Sequence, residues 1–337
     1  MKGISHFVSG IAAATFIPGV VEQAAGGSLL PVLGGIFGLL PDTLDFKFTR
    51  YFERAEPIDP DPRKPDPQVI AGRVAEAIER AYKRNRPVRV RLHTLKLGVD
   101  LWRQYAVRFD TDAGRGEIAV RIGPTVNTAQ MPYAGSEIEG LGEARAKVEA
   151  PLLYTYGEEV TIDIFGGPSF EFRRAQQDRV EIQFLPWHRA WSHSLVLAAL
   201  LGLSVGLLAN VTLGLVIFAG MAVHILEDQL GYMGSNLFWP LSETRTGGLR
   251  LIHSGDAIPN FVTVWSALTL ILFNLDRFSG RPPFFEPASF LLFALAIPAG
   301  ALLLIYLVGK FARRRQFTTV EAAKQADVLQ ELVETEA

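Results

Sequence analysis

The run SLVLAALLGLSVGLLANVTLGLVIFAGMAVHILED, residues Ser194–Asp228, holds no charged residue before Glu227. A helix needs about 20 apolar residues to cross a bilayer, so the run is too long for one ordinary crossing. It reads as two short helices turning near Asn210. At its end stand His224 and Asp228. Residues i and i+4 of a helix share a face, which puts an imidazole and a carboxylate at chelating distance. At its start stands Trp187-His188-Arg189-Ala190-Trp191-Ser192-His193-Ser194.

Further apolar segments lie on both sides. Pro287 to Gly309 carries no charge and is closed by Lys310-Phe311-Ala312-Arg313-Arg314-Arg315, a basic cluster that should stay cytoplasmic. Ile258 to Leu275 is another span, with Asn260, Trp265 and Asn274 within it. Ile4 to Val21 and the shorter Leu29 to Leu40 complete the set, although Lys2, an apolar core and Ala12-Ala13-Ala14 also fit a signal peptide. The expectation is an α-helical polytopic membrane protein with about four to six membrane helices and an inserted soluble β-rich domain. Its place is the plasma (inner) membrane of a prokaryote, multi-pass, with the C-terminus cytoplasmic.

The organisation reads as 1–52, N-terminal membrane helices; 53–68, a Pro-rich linker; 69–186, the β-rich insert; 187–310, membrane helices; and 311–337, a charged tail. Glu56 to Pro67 reads as stiff, extended and solvated. Val69, Val74, Ala77, Ile78 and Ala81 then recur at helical spacing. From Val88 the period becomes two, and strands are expected at Val88–Leu92, Tyr105–Asp110, Glu117–Ile122, Val160–Phe165, Phe170–Arg174 and Val180–Leu185, with a hairpin turn over 112–116. His93 falls on a polar face and reads as a solvated side chain. The insert shows no catalytic constellation and would shape access or bind a protein partner. The tail from Thr318 reads as solvated and partly helical.

Among 337 residues there is no cysteine, so any metal must be held by nitrogen and oxygen. A net charge of −2 gives no reason to propose a nucleic-acid partner. With an even number of spans and a cytoplasmic C-terminus, His6, the pair Asp42 and Asp45, the pair His188 and His193, and the pair His224 and Asp228 all fall at one membrane face. That convergence points to one metal site drawn from these seven residues. Zinc is the expected ion, with manganese and iron as alternatives. Glu227 and either aspartate can orient the histidines from behind, while Arg189 can meet an anionic substrate. His253 and Asp256 are secondary candidates.

These residues resemble the YdjM-like family of membrane-bound, metal-dependent hydrolases. The resemblance rests on His6 followed by Ser9-Gly10, on Gly38-Leu39-Leu40-Pro41-Asp42-Thr43-Leu44-Asp45, on His188–Ser194, on His224-Ile225-Leu226-Glu227-Asp228 running on to Gly234, and on Trp239-Pro240. It covers about half the chain and leaves out the β-rich insert, which replaces a short link. It implies a helical membrane core with a hydrolase-like metal site, distantly similar to zinc-dependent phospholipases C. The expected function is therefore hydrolysis of a phosphoester or lipid-like substrate by a metal-activated water, with Asp45 or Asp228 as base and Arg189 as anion stabiliser. The alternatives are a non-enzymatic membrane scaffold with a structural metal, and a metal or proton-coupled transporter.

Overall fold

The computed structural model describes residues 2–111, 116–127, 131–136, 142–154, 159–162, 167–175, 178–252 and 254–309. The 112–116 turn (apart from Gly116), the end of the Val160–Phe165 strand, His253, the basic cluster from Lys310 and the tail lie outside these residues. The chain divides into two compact units. One comprises Met1–Pro41, His193–Gly231 and Leu237–Ala337; the other comprises Asp42–Ser192 and Tyr232–Asn236.

The first unit is helical. The segment expected as one span from Ile4 is two helices, α1 (Gly3–Thr15) and α2 (Val20–Ala25). Pro18 disfavours helical geometry at the residue before it, and Gly19 adopts a left-handed φ of 77°, so the helix breaks there. Helix α3 (Leu30–Leu44) runs through Pro41, beyond the expected Leu40, into a π-helical turn at Asp45–Thr49 and the short α4 (Arg50–Phe52). After the insert come α6 (Leu195–Leu208) and α7 (Val211–Gln229), which turn at Asn210. The Asn210 side chain accepts from the Leu213 amide at 3.1 Å, closing the first turn of α7. Helices α8 (Ala257–Phe278) and α9 (Pro287–Gly309) follow. Among the described residues three helices are long and apolar enough to cross a membrane: α7, α8 and α9. Helix α6 is apolar but shorter.

Glycines let these helices approach to backbone contact. A Cβ at Gly10 would overlap the Gly34 carbonyl, and one at Gly38 would overlap the His6 carbonyl. Small residues at such spacing are what membrane helices use to pack closely.

The second unit, from Asp42, takes in the π-helical turn and α4 and, among the described residues, two sheets with the longer helix α5. Helix α5 (Pro67–Arg84) starts at Asp66, whose carboxylate accepts from the Gln68 and Val69 amides, and ends at Asn85 in the left-handed region. It buries Ile70, Val74, Ala77, Ile78 and Ala81, one face at helical spacing. The first sheet has the order β1 (Glu56–Ile58), β2 (Val88–Leu92), β9 (Ser169–Ala175), β10 (Arg179–Phe184), β7 (Leu152–Tyr154). The second runs β3 (Leu95–Gly98), β4 (Leu101–Asp110), β5 (Glu117–Val126), β6 (Ala144–Lys147), with β8 (Glu159–Ile162) also paired to β4. Phe170, Phe172, Ile118, Ile162 and Leu92 are fully buried in the shared core, each worth about 1.5–3 kcal/mol of transfer free energy.

The linker expectation is corrected at its start. Glu56–Ile58 is a parallel edge strand on β2, and Ile58, opposite Leu92, is buried in the core. An isoleucine among prolines still buries its side chain when a strand edge is offered to it. His93 is 43% exposed, 3.8 Å from Asp59.

Candidate metal centre

Each histidine of the helical unit is aimed by the element that carries it. In α1, His6 Nδ1 lies 2.9 Å from Glu227 Oε2. In α7, His224 Nδ1 lies 2.6 Å from the Gly38 carbonyl oxygen. A carboxylate and a carbonyl only accept, so both Nδ1 atoms carry protons. A neutral imidazole with its proton on Nδ1 presents a bare lone pair at Nε2. His6 Nε2 then faces Asp228 Oδ1 at 3.5 Å, and His224 Nε2 faces Asp228 Oδ2 at 3.4 Å. His193, which closes the 3₁₀ turn Trp191–His193, adds Nε2 at 3.3 Å from Asp228 Oδ2 and 3.1 Å from His224 Nε2.

Lone pairs and an anionic carboxylate converging at this distance repel one another unless a cation or proton stands among them. The side chains of His6, His193, His224 and Asp228 are all 0% exposed, so water does not screen the repulsion. Asp42 follows Pro41 in α3. One ligand atom each from Asp42, His193, His224 and Asp228 lie within 4.8 Å of one another. Two imidazoles and two carboxylates suit zinc, manganese or iron, and the set contains no thiolate to narrow the choice. Donor set, burial and fixed tautomers all fit a divalent cation.

Asp45 sits elsewhere. Its Oδ2 accepts from His188 Nδ1 at 3.0 Å and from the Arg189 amide at 2.7 Å, and its Oδ1 accepts from Ser192 Oγ at 2.5 Å. The group of four side chains that could hold an ion includes neither Asp45 nor His188. Asp45 works here as a clamp on the turn that leads into His193. Arg189 adopts φ +58° in that turn, a conformation costing of order 1 kcal/mol for a residue with a Cβ. The amide bond to Asp45 is what holds it. Asp45→Asn keeps the shape but sets an NH2 against a donor, so it should cost roughly 2 kcal/mol of stability. Thermal unfolding of the detergent-solubilised chain, with metal content measured alongside, checks this. A clamp predicts a lowered melting temperature with most of the metal retained.

The secondary candidate Asp256 is engaged by Tyr306, whose hydroxyl donates to its Oδ2 at 2.7 Å. What the sequence reading missed is backbone and small: the Gly38 carbonyl that fixes His224, and Ser192 on Asp45. The spacing Gly34-x-x-x-Gly38 in an apolar helix was the available signal for the first.

Residues 177–316 match the YdjM inner membrane protein family. The match takes in the Arg189 turn, His193, His224, Asp228 and all three candidate membrane spans, and it stops short of His6 and Asp42. None of the curated proteins and none of the solved structures matches the chain.

Proposed function

We propose that this chain is a membrane-bound, metal-dependent hydrolase acting on a phosphoester, carried by a lipid or lipid-like molecule, at the cytoplasmic face of a prokaryotic inner membrane. In this reading four to six helices enter the membrane, and the C-terminus is cytoplasmic. The observation that carries it is the pair of tautomer-fixed imidazoles, His6 and His224, turned with His193 onto the buried Asp228. His193, His224, Asp228 and Asp42 would hold the ion, with His6 beside Asp228.

A bound divalent cation supplies two things there: an acidified water and a polarised phosphoryl oxygen. The chain's own residues do the rest. Glu227 and Gly38 keep the protons of His6 and His224 on the far side of each ring. Asp42 is the half-buried member of the group. Three donors already occupy Asp45, so of the two expected bases Asp228 is the one that stands at the ion. Arg189, four residues before His193, is the proposed cation for the substrate's anionic oxygen.

The scaffold reading keeps one observation in its favour: three of the four donors are at most 1% exposed, as in closed structural sites. One experiment separates the two. The detergent-purified protein is assayed for metal by elemental analysis and for hydrolysis of a phosphodiester, before and after chelation. Near-stoichiometric metal with chelator-sensitive hydrolysis supports the enzyme. Metal without hydrolysis, and unfolding on chelation, supports the scaffold.

A further inference from the structure

The segment that begins within the π-helical turn after α3 exposes aromatic and basic side chains together. It reads Phe46-Lys47-Phe48-Thr49-Arg50-Tyr51-Phe52-Glu53-Arg54. Phe46 and Phe48 are about half exposed, while Tyr51 and Phe52 are 75% and 81% exposed. Four large rings in seven residues are costly to leave in water, since each buries on the order of 150–250 Å² when covered. Lys47 and Arg54 are exposed as well. The one acid, Glu53, is not part of the outward charge. Its side chain is 1% exposed and accepts from Arg91 at 2.9 Å. The outward face is therefore aromatic and cationic with no exposed anion.

We infer that this segment is an interfacial anchor that seats on the anionic headgroup layer of the membrane. The tyrosine ring settles at headgroup depth because its body is apolar and its hydroxyl is wet, phenylalanine rings bury just beneath that level, and lysine and arginine meet lipid phosphates there. The chain also leads the segment there. It follows directly, through the π-helical turn, on α3, an apolar helix. Charge and continuity favour lipid over a protein surface, which would have to supply acids and aromatic pockets at one membrane-level patch. The anchor rests on the membrane reading of the helices and not on the metal chemistry.

The absence of cysteine makes the test direct. Single Phe52→Cys, Tyr51→Cys, Val99→Cys and Leu304→Cys proteins are labelled with an environment-sensitive fluorophore. They are reconstituted as full chains in vesicles of phosphatidylcholine with phosphatidylglycerol. Val99, 93% exposed, reports water, and Leu304, on α9, reports bilayer insertion itself. The probes at 51 and 52 should be quenched by shallowly brominated lipid severalfold more than the probe at 99, and shielded from iodide. Adding Lys47→Glu and Arg54→Glu should weaken that quenching, as should phosphatidylcholine alone. The inference is overturned if the probe at 304 is lipid-quenched while those at 51 and 52 behave like 99. It is equally overturned if spin labels at 52 couple between two copies, which would make a second copy the cover. Two probe positions guard against one substitution misfolding.

Discussion

Asp228→Asn should lower metal affinity by at least about a hundredfold, more than loss of a supporting hydrogen bond costs at such sites. Asp228 is the one residue that all three imidazole Nε2 atoms approach, at 3.3–3.5 Å. Asparagine preserves the volume and one oxygen but removes the charge that balances a dication in a site closed to water. Binding to the folded state alone stabilises it in proportion to the logarithm of affinity. A hundredfold loss at saturating metal is about 2.7 kcal/mol, and the melting temperature should fall with it. Elemental analysis and thermal unfolding of wild type and variant, each with and without chelator, read both effects. Chelator should melt the wild type toward the variant and lower the variant by less. If protons alone balance the cluster, the substitution breaks a buried pair and lowers stability, but chelator then moves neither protein and neither one carries metal. That result would end the metal reading and the hydrolase with it.

What sequence makes legible here follows from the range of each interaction. The apolar run and its turn residue locate α6 and α7 because periodicity and capping act within a few residues. His224 and Asp228 share a face for the same reason. The strands with five or more alternating residues stand out likewise. Strands β1, β6 and β7, of three or four residues, do not, since each is defined by a partner far along the chain. The site divides on the same line. Nothing within Pro41-Asp42-Thr43-Leu44-Asp45 says that Asp42 joins the imidazole group while Asp45 takes three donors from the turn at 188–192. The two acids lie one helical turn apart, and packing assigns them different work. The family match, over 177–316, is silent on that division of labour.

Gly220→Ala should cost stability and metal binding together, because one backbone contact serves both. A Cβ at Gly220 would overlap the Gly34 carbonyl oxygen and sit 3.2 Å from the Gly38 amide nitrogen. Neither neighbour is a side-chain tip that can swing away, so α3 and α7 must move apart. Overpacking of this kind typically costs about 1–3 kcal/mol. Gly38 also supplies the carbonyl that holds the proton on His224 Nδ1 at 2.6 Å, and a displaced α3 releases it. His224 could then turn or change tautomer, and Nε2 would no longer be held toward Asp228. Metal affinity should fall roughly ten- to a hundredfold, as when a supporting partner is lost, although no ligand has been touched. Gly206→Ala, where an added Cβ meets only Val211 and Gly214 at 3.8 and 3.9 Å, is the control and should leave both readouts near wild type. A Gly220→Ala protein that melts early yet keeps full metal affinity would show that α3–α7 packing and imidazole orientation are independent. The fit between these helices would then set stability alone.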